Sequence, residues 1–275
     1  GQPDPQQPRS RHSYSYVVYL PPPIDRLCSF GAYALWRGSG VASNVDCFDF
    51  DTTRWARRAN VPGPRVVEHT NLAVVDPLTQ TVLWYSVGRA WQQYSYASNI
   101  WIPRSTPYNL GYDSHGFMDT TRHRLVFTGR GEVFTLDLTQ AGTPGVGRRT
   151  SQLTGNLAVV GGRRPGAVYD PDLDAYILYS SDVHSPGAVV AVDPVTWRVA
   201  LVPGTGPAMP LPCTRQSPTL NLCNSTYGKW ARVGTLLYAY IPTSLTQPVW
   251  FTRLDTAAVA LALGRLPAPS NLRVQ

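Results

Sequence analysis

The chain has 275 residues, of which 43% are hydrophobic and 15% charged, with a formal net charge of +7. Such a composition buries a core and excludes a disordered chain, and no apolar run approaches the roughly 18 residues of a membrane-spanning helix. The charge is nearly all arginine, scattered or in pairs such as Arg57-Arg58, Arg148-Arg149 and Arg163-Arg164; Lys229 is the only lysine, and there is no basic helix or long basic run, so nucleic acid is not the expected partner.

Residues 1–10, "GQPDPQQPRS", read as an N-terminal linker at a trimmed or mature start. From there the chain repeats one pattern: a short apolar strand, a polar Asp/Pro/Gly turn, and a second, strongly apolar strand. The copies are "HSYSYVVYLPPPIDRLCSFGA" from His12, "NLAVVDPLTQTVLWYSVG" from Asn71, "HGFMDTTRHRLVFTGRG" from His115, "PGAVYDPDLDAYILYSSD" from Pro165 and "GKWARVGTLLYAYIP" from Gly228. A third strand of apolar-x-apolar-Asp pattern follows, plainest in "NVDCFDFDTTRW", "GEVFTLDLTQ" and "GAVVAVDPVTWRV", with "NIWIPRS" and "QPVWFTRLD" as weaker copies. A period of about 50 residues built only from strands predicts an all-β fold, a kelch-type β-propeller with about five visible four-stranded blades. These blades either close on themselves or form part of a six- or seven-bladed ring.

The repeat settles the acidic stretch "AVYDPDLDAYILYSSD" at 167–182. Asp170, Asp172 and Asp174 alternate as in a calcium loop, yet they fill the slot that holds "DPLTQ", "DTTRH" and "PPPIDR" elsewhere. The glycine and glutamate that an EF-hand requires at its sixth and twelfth positions are missing. The acids are therefore expected to be turn residues.

Four cysteines fit the same frame. Cys28 falls in the second strand of the first unit and Cys47 in its third, where antiparallel neighbours can face one another at disulfide distance. Cys213 and Cys223 bracket "CTRQSPTLNLC" before the last unit. Two local bridges imply an oxidising, extracellular compartment. Without a CxxC or zinc-finger spacing, no metal and no cofactor is expected.

The segments "RHSYSYVVYLPPPIDRLCSFGA", "SHGFMDTTRHRLVF", "PGAVYDPDLDAYILY" and "STYGKWARV" resemble secreted bacterial kelch-repeat proteins of the galactose-oxidase-like propeller class. The likeness covers residues 10 to about 255 and implies fold more than activity, because propellers of this kind serve unrelated functions. Two departures stand out: the extra blade that such proteins carry before the "RH" start is absent, and "LPAPSNLRVQ" at 266–275 looks like the start of a fibronectin type III domain. The expected division is linker 1–10, propeller 11–260, and linker with a truncated fibronectin-like segment 261–275.

The copper site that the resemblance brings to mind needs two tyrosines and two histidines, with one tyrosine cross-linked to cysteine. No Tyr-His dipeptide occurs among the five histidines, and both cysteine pairs have better partners. G-x-S-x-G and H-E-x-x-H are absent, and Glu68 and Glu132 are the only glutamates, so a hydrolase would have to use paired aspartates.

The heads of the first strands carry Arg11-His12, Glu68-His69, Ser114-His115, Arg163-Arg164 and Tyr227-Gly228-Lys229. At a channel mouth, Arg11, His12, His69, His115, Arg164, Tyr227 and Lys229 would offer bidentate donors and stacking faces to a sugar or a carboxylate. The same side chains could instead bond neighbouring blades and plug the channel. A second candidate surface is the loop "GRAWQQYSYASNIWIP" at 88–103: Trp91 and Tyr94 are expected at the surface, Trp101 in the core, and Trp55 and Trp197 between blades. Asn224-Ser225-Thr226 is a sequon that matters only in a eukaryotic secretory host.

The expectation is thus an extracellular, non-catalytic binding module for polysaccharide, glycan or a protein partner. The alternatives are a decorating protein of a large extracellular assembly or virus particle, and a carbohydrate-active enzyme with paired Asp.

Overall fold

The computed structural model describes residues 15–34, 40–62, 71–86, 91–104, 115–129, 132–138, 149–150, 153–157, 165–179, 189–203, 230–240 and 248–265. The fold is all-β and of the five-bladed β-propeller class, built from five antiparallel sheets of blade type. Blade 1 holds β1 (Val17–Leu20), β2 (Arg26–Ala34), β3 (Gly40–Asp49) and β4 (Arg54–Arg58) in that order. Blade 2 holds β5 (Asn71–Asp76), β6 (Thr81–Ser86), β7 (Gln92–Ser95) and β8 (Ile100–Pro103). Blade 3 holds β9 (His115–Asp119), β10 (Arg124–Gly129), β11 (Glu132–Asp137) and β12 (Arg149–Thr150). In blade 4, β14 (Gly166–Asp170), β15 (Ala175–Tyr179), β16 (Val189–Val192) and β17 (Arg198–Leu201) carry an added parallel strand β13 (Thr154–Gly155) beside β17. Blade 5 shows β18 (Trp230–Gly234), β19 (Leu237–Tyr240) and β20 (Trp250–Arg253) among the described residues.

The turns explain why these segments form hairpins. Every non-glycine residue of positive φ among the described residues occupies one place, the last turn residue before a strand: Asp25, Thr53, Gln80, Asn99, His123, Asp174, Trp197 and Leu236. A left-handed residue there closes a loop built on a tight turn and hands the chain to the next strand with the right twist. At the other end of the turn an aspartate side chain accepts backbone amides. Asp76 Oδ1 accepts from Leu78 N (3.1 Å), Asp119 Oδ1 from Arg122 N (3.0 Å), and Asp193 Oδ1 from Val195 N (2.9 Å) and Thr196 N (2.8 Å). Asp170 Oδ1 does the same for Asp172 N (2.8 Å) and Leu173 N (3.1 Å), so the acidic stretch is a turn, as its place in the repeat requires.

Two compact units divide the chain, residues 1–126 with 135–149 and residues 127–134 with 150–275. In the first unit the core lies between blades 1 and 2. Leu20, Cys28, Phe30, Val45 and Cys47 of blade 1 meet Ala73, Val82, Trp84, Tyr94 and Tyr96 of blade 2. Trp84 Nε1 donates to Phe30 O (3.3 Å) and Trp101 Nε1 to Ala59 O (3.0 Å), so each indole that crosses the seam is also hydrogen-bonded. Asn99, in its left-handed turn, accepts from Ala59 N (2.9 Å) and from Tyr94 Oη (2.7 Å).

In the second unit the core lies between blades 4 and 5. Tyr179, Trp230 and Tyr238 stack in series, with ring centroids 5.2 and 5.3 Å apart, and Trp230 Nε1 donates to Ile177 O (3.2 Å). A short helix, α1 (Thr256–Ala262), follows β20 and adds Val259 and Leu263 to this core. Asp255 caps it by accepting from Ala258 N (2.8 Å). Gly264, at φ +71°, ends it, and a Cβ there would lie 2.3 Å from Arg198 Nη1.

Two features depart from the sequence reading. "NIWIP" is the fourth strand of blade 2, not its third, because Tyr96–Asn99 form a turn like those between the first and second strands, and β7 takes the third place. The helix was not anticipated, and it straddles the expected boundary at 260/261. Residues 266–275, with the fibronectin-like resemblance, lie outside the described residues.

Candidate functional site

The first strands of successive blades lie side by side in the first unit, β1 against β5 and β5 against β9. Ser15, just ahead of β1, forms a parallel bridge with Leu72, and Ser15 O accepts from Ala73 N (2.9 Å). The heads of these strands therefore converge, and half-buried His115 opens β9 at that end. Arg11, His12, His69, Arg164, Tyr227 and Lys229, the other candidates for this slot, lie outside the described residues.

Trp91 and Tyr94 are not surface residues. Both are buried, Trp91 against Tyr85 (centroids 4.9 Å) and Tyr94 between Phe30 (5.3 Å) and Trp101 (5.1 Å). The segment read as an exposed aromatic loop is a strand–turn–strand, and the alternation of β7 turns Tyr94 into the seam with blade 1. Trp101 packs on the same core, as expected. Trp55 and Trp197 meet rings of their own sheets, Phe48 at 5.4 Å and Tyr176 at 6.0 Å.

The buried carboxylates are occupied. An ionised carboxylate offers about four acceptor positions, and Asp170 fills them: two turn amides on Oδ1, and Arg232 Nε (3.0 Å) with the Tyr238 hydroxyl on Oδ2. Both Oδ2 donors come from blade 5, so the turn of blade 4 grips the next sheet. Blade 2 does likewise: Asp76 Oδ2 accepts from Thr79 Oγ1 (2.6 Å) and pairs with His123 Nε2 (2.9 Å) of blade 3. Asp119 binds Arg122 and Arg124 within its own hairpin. Asp193 receives Arg265 Nε at 2.7 Å, while Arg265 Nη1 and Nη2 reach Leu173 O (2.6 Å) and Asp174 O (2.8 Å).

These contacts shift the titrations in the direction their causes dictate. Burial raises the phenol of Tyr238, helped by its bond to Asp170, and burial raises Tyr179. Burial pushes Tyr240 up to about 12. Burial also opposes ionisation of Asp193, but the amides of Thr196 and Val195 and the Arg265 guanidinium outweigh it and lower the carboxyl. Among the described residues no three His, Cys, Asp or Glu side chains gather as a metal set.

Cys28 and Cys47 stand opposite one another on β2 and β3 and form the expected disulfide. Cys213 and Cys223 lie outside the described residues. The sequence did not single out Arg232, Tyr238 or Arg265. The signal for Arg265 was Asp255 ahead of an Ala/Leu/Val run with Gly264 after it, which marks a capped helix delivering the next residue.

No family model matches the chain, and no curated protein matches it. Fold and geometry define it as a protein of the β-propeller class, with five blade-type sheets and one cross-strand disulfide.

Proposed function

We propose that the chain is an extracellular, kelch-type, non-catalytic binding module whose ligand is a polysaccharide or glycan. The observation that carries this reading is the convergence of the first-strand heads in the first unit, with His115 opening β9 at that end. The corresponding slots of the first unit hold Arg11, His12 and His69 in sequence, a set of donors suited to sugar hydroxyls and carboxylates, and Arg164 holds the same slot in the second unit. The disulfide is what an oxidising compartment favours. An enzyme using paired aspartates is disfavoured by the saturation of Asp170 and Asp193, whose oxygens already hold turn amides and guanidinium or phenol donors.

The test is affinity electrophoresis of the purified chain through gels containing neutral and acidic polysaccharides, followed by analysis of the gels for cleaved sugar. Retardation without cleavage, weakened in His115→Ala and in the Arg11→Ala/Arg164→Ala double variant, is the expected result. Retardation unchanged in both variants would place the site elsewhere, and released sugar would make the chain an enzyme. A second reading, a decorating protein of an extracellular assembly, is favoured by apolar side chains left exposed on the sheets, including Tyr19, Phe50, Val233 and Phe251. It predicts free migration through every gel.

A further inference from the structure

A line of polar side chains crosses all four strands of blade 2. Arg104, the residue after β8, donates from Nε (2.8 Å) and from Nη2 to Gln93 Oε1 on β7. Gln93 Nε2 donates to Thr81 Oγ1 at the start of β6 (2.8 Å). Thr81 Oγ1 and Thr79 Oγ1 lie 2.8 Å apart, and Thr79 Oγ1 donates to Asp76 Oδ2 at the end of β5 (2.6 Å). His123 Nε2 of blade 3 lies 2.9 Å from the same carboxylate oxygen. Asp76, Thr81 and Gln93 are buried, and all six residues belong to the first compact unit.

The donors and acceptors fix the direction of this line. A guanidinium can only donate, so Gln93 Oε1 is the accepting end of its amide and the NH2 group faces Thr81. Thr81 Oγ1 therefore accepts from Gln93, and its own hydrogen goes to Thr79. The Thr79 hydrogen goes to the carboxylate. Asp76 accepts at both oxygens, from Leu78 N on Oδ1 (3.1 Å) and from Thr79 on Oδ2, so His123 bonds to it only with a hydrogen on Nε2. Every bond from Arg104 to Asp76 points the same way, from a cation at the edge strand of blade 2 to a carboxylate at the joint with blade 3. A chain of donors that all run one way is polarised along its length, and each bond strengthens the next.

The two ends of this relay bracket the passage from blade 2 to blade 3. The polypeptide leaves blade 2 at Arg104 and enters blade 3 at His115, which opens β9. His123 is the left-handed residue that closes the turn between β9 and β10. β9 lies beside β5, whose last residue is Asp76.

We propose that the relay is a conformational coupling device. The charge of Arg104 acts through Gln93, Thr81, Thr79 and Asp76 on the seat of the His123 turn, and so on where β9 carries His115. Arg104 is a positioning residue, since it bonds to neither histidine among the described residues. The coupling is a property of the fold and holds whatever ligand the strand heads take.

A double-mutant cycle between Arg104→Met and His123→Asn, read by urea unfolding of the full chain, tests the coupling. Asparagine suits the left-handed turn, as Asn99 does in blade 2. Each single variant is expected to lower the folding equilibrium constant about tenfold. Distant residues without a shared partner act independently to within about a factor of two. The relay predicts that the double variant falls short of the product of the two losses by about threefold or more. Arg104→Lys keeps a cationic donor and is expected to recover most of the loss. If Arg104→Met fails to fold, Arg104→Gln replaces it.

Gln93→Glu separates the relay from local pairing, because it keeps a partner for Arg104 but cannot donate to Thr81. NMR of the imidazole rings, of which the chain has five, reads the far end. The wild type is expected to show a hydrogen-bonded Nε2–H on His123. Gln93→Glu and Arg104→Met are expected to lose that signal and to shift the ring signals of His115. Independent losses in the cycle, a wild-type His123 protonated on Nδ1 alone, or histidine signals unchanged in Gln93→Glu would each overturn the proposal.

Discussion

Asp170 and Arg232 are 62 residues apart in sequence, and the carboxylate of one holds the guanidinium Nε of the other at 3.0 Å. The aspartate shapes the first hairpin of blade 4, and the arginine lies on the first strand of blade 5, so one side chain both folds its own turn and locks the next sheet. Asp76 and His123 repeat the arrangement between blades 2 and 3 at 2.9 Å. The dual role makes the turn aspartate a joint of the repeat.

Asp170→Ala strips a partner from Arg232, from the Tyr238 hydroxyl and from two turn amides. Breaking a buried pair from one side costs about 3–5 kcal/mol, and urea unfolding is expected to show a loss of that size. Asp172→Ala removes only an exposed partner of Arg232 and is expected to cost about 1 kcal/mol or less.

The Cys28–Cys47 bridge spans a sequence separation of 19 residues. Closing a loop of that length restricts the unfolded chain by about 3 kcal/mol. Cys28→Ala/Cys47→Ala is expected to lower stability by about 2–4 kcal/mol. Thermal unfolding with and without reductant checks it, since only the wild type should respond to reduction of this bridge.

The buried phenols of Tyr179, Tyr238 and Tyr240 all titrate above their ordinary value, Tyr240 at about 12. A raised phenol pKa means that the folded chain keeps a proton which the unfolded chain releases above about pH 10. The stability they contribute is therefore full below about pH 10 and falls as pH rises beyond it. Unfolding on the alkaline side should coincide with the appearance of tyrosinate absorbance, and Tyr240→Phe should move that transition to higher pH.

Asp193 shows the opposite sign. Its lowered carboxyl contributes stability that is present above about pH 4 and lost as pH falls through the folded value. Arg265→Ala removes one of the causes, along with charge-assisted bonds to Leu173 O and Asp174 O. An expected loss of about 1.5–3 kcal/mol at neutral pH should come with acid unfolding that begins at a higher pH than in the wild type, followed by circular dichroism.

Sequence pattern made the hairpins legible because their signal is local. Apolar strands around "DPLTQ", "DTTRH" and "DPDLD" carry both the alternation and the turn chemistry within about twenty residues. Cys28–Cys47 was legible for the same reason, adjacent strands with a short separation. The partners of the turn aspartates were not, since Asp76–His123 and Asp170–Arg232 depend on how one blade seats on the next. Tyr94 and Trp91 misled because the turn "YASN" has no glycine or proline to mark it, and Asn99 supplies the left-handed residue instead. Of the first-strand heads, sequence gave residue types, and the structure gives the placement of His115.

The most direct test of the acidic stretch as a blade-locking turn is a double-mutant cycle between Asp170→Ala and Arg232→Ala, measured by urea unfolding with and without added calcium. A coupling of about 0.5–3 kcal/mol, with no change on adding calcium, is the predicted result. Additive losses from the two substitutions, or a wild type stabilised by calcium in a manner that Asp170→Ala abolishes, would contradict it.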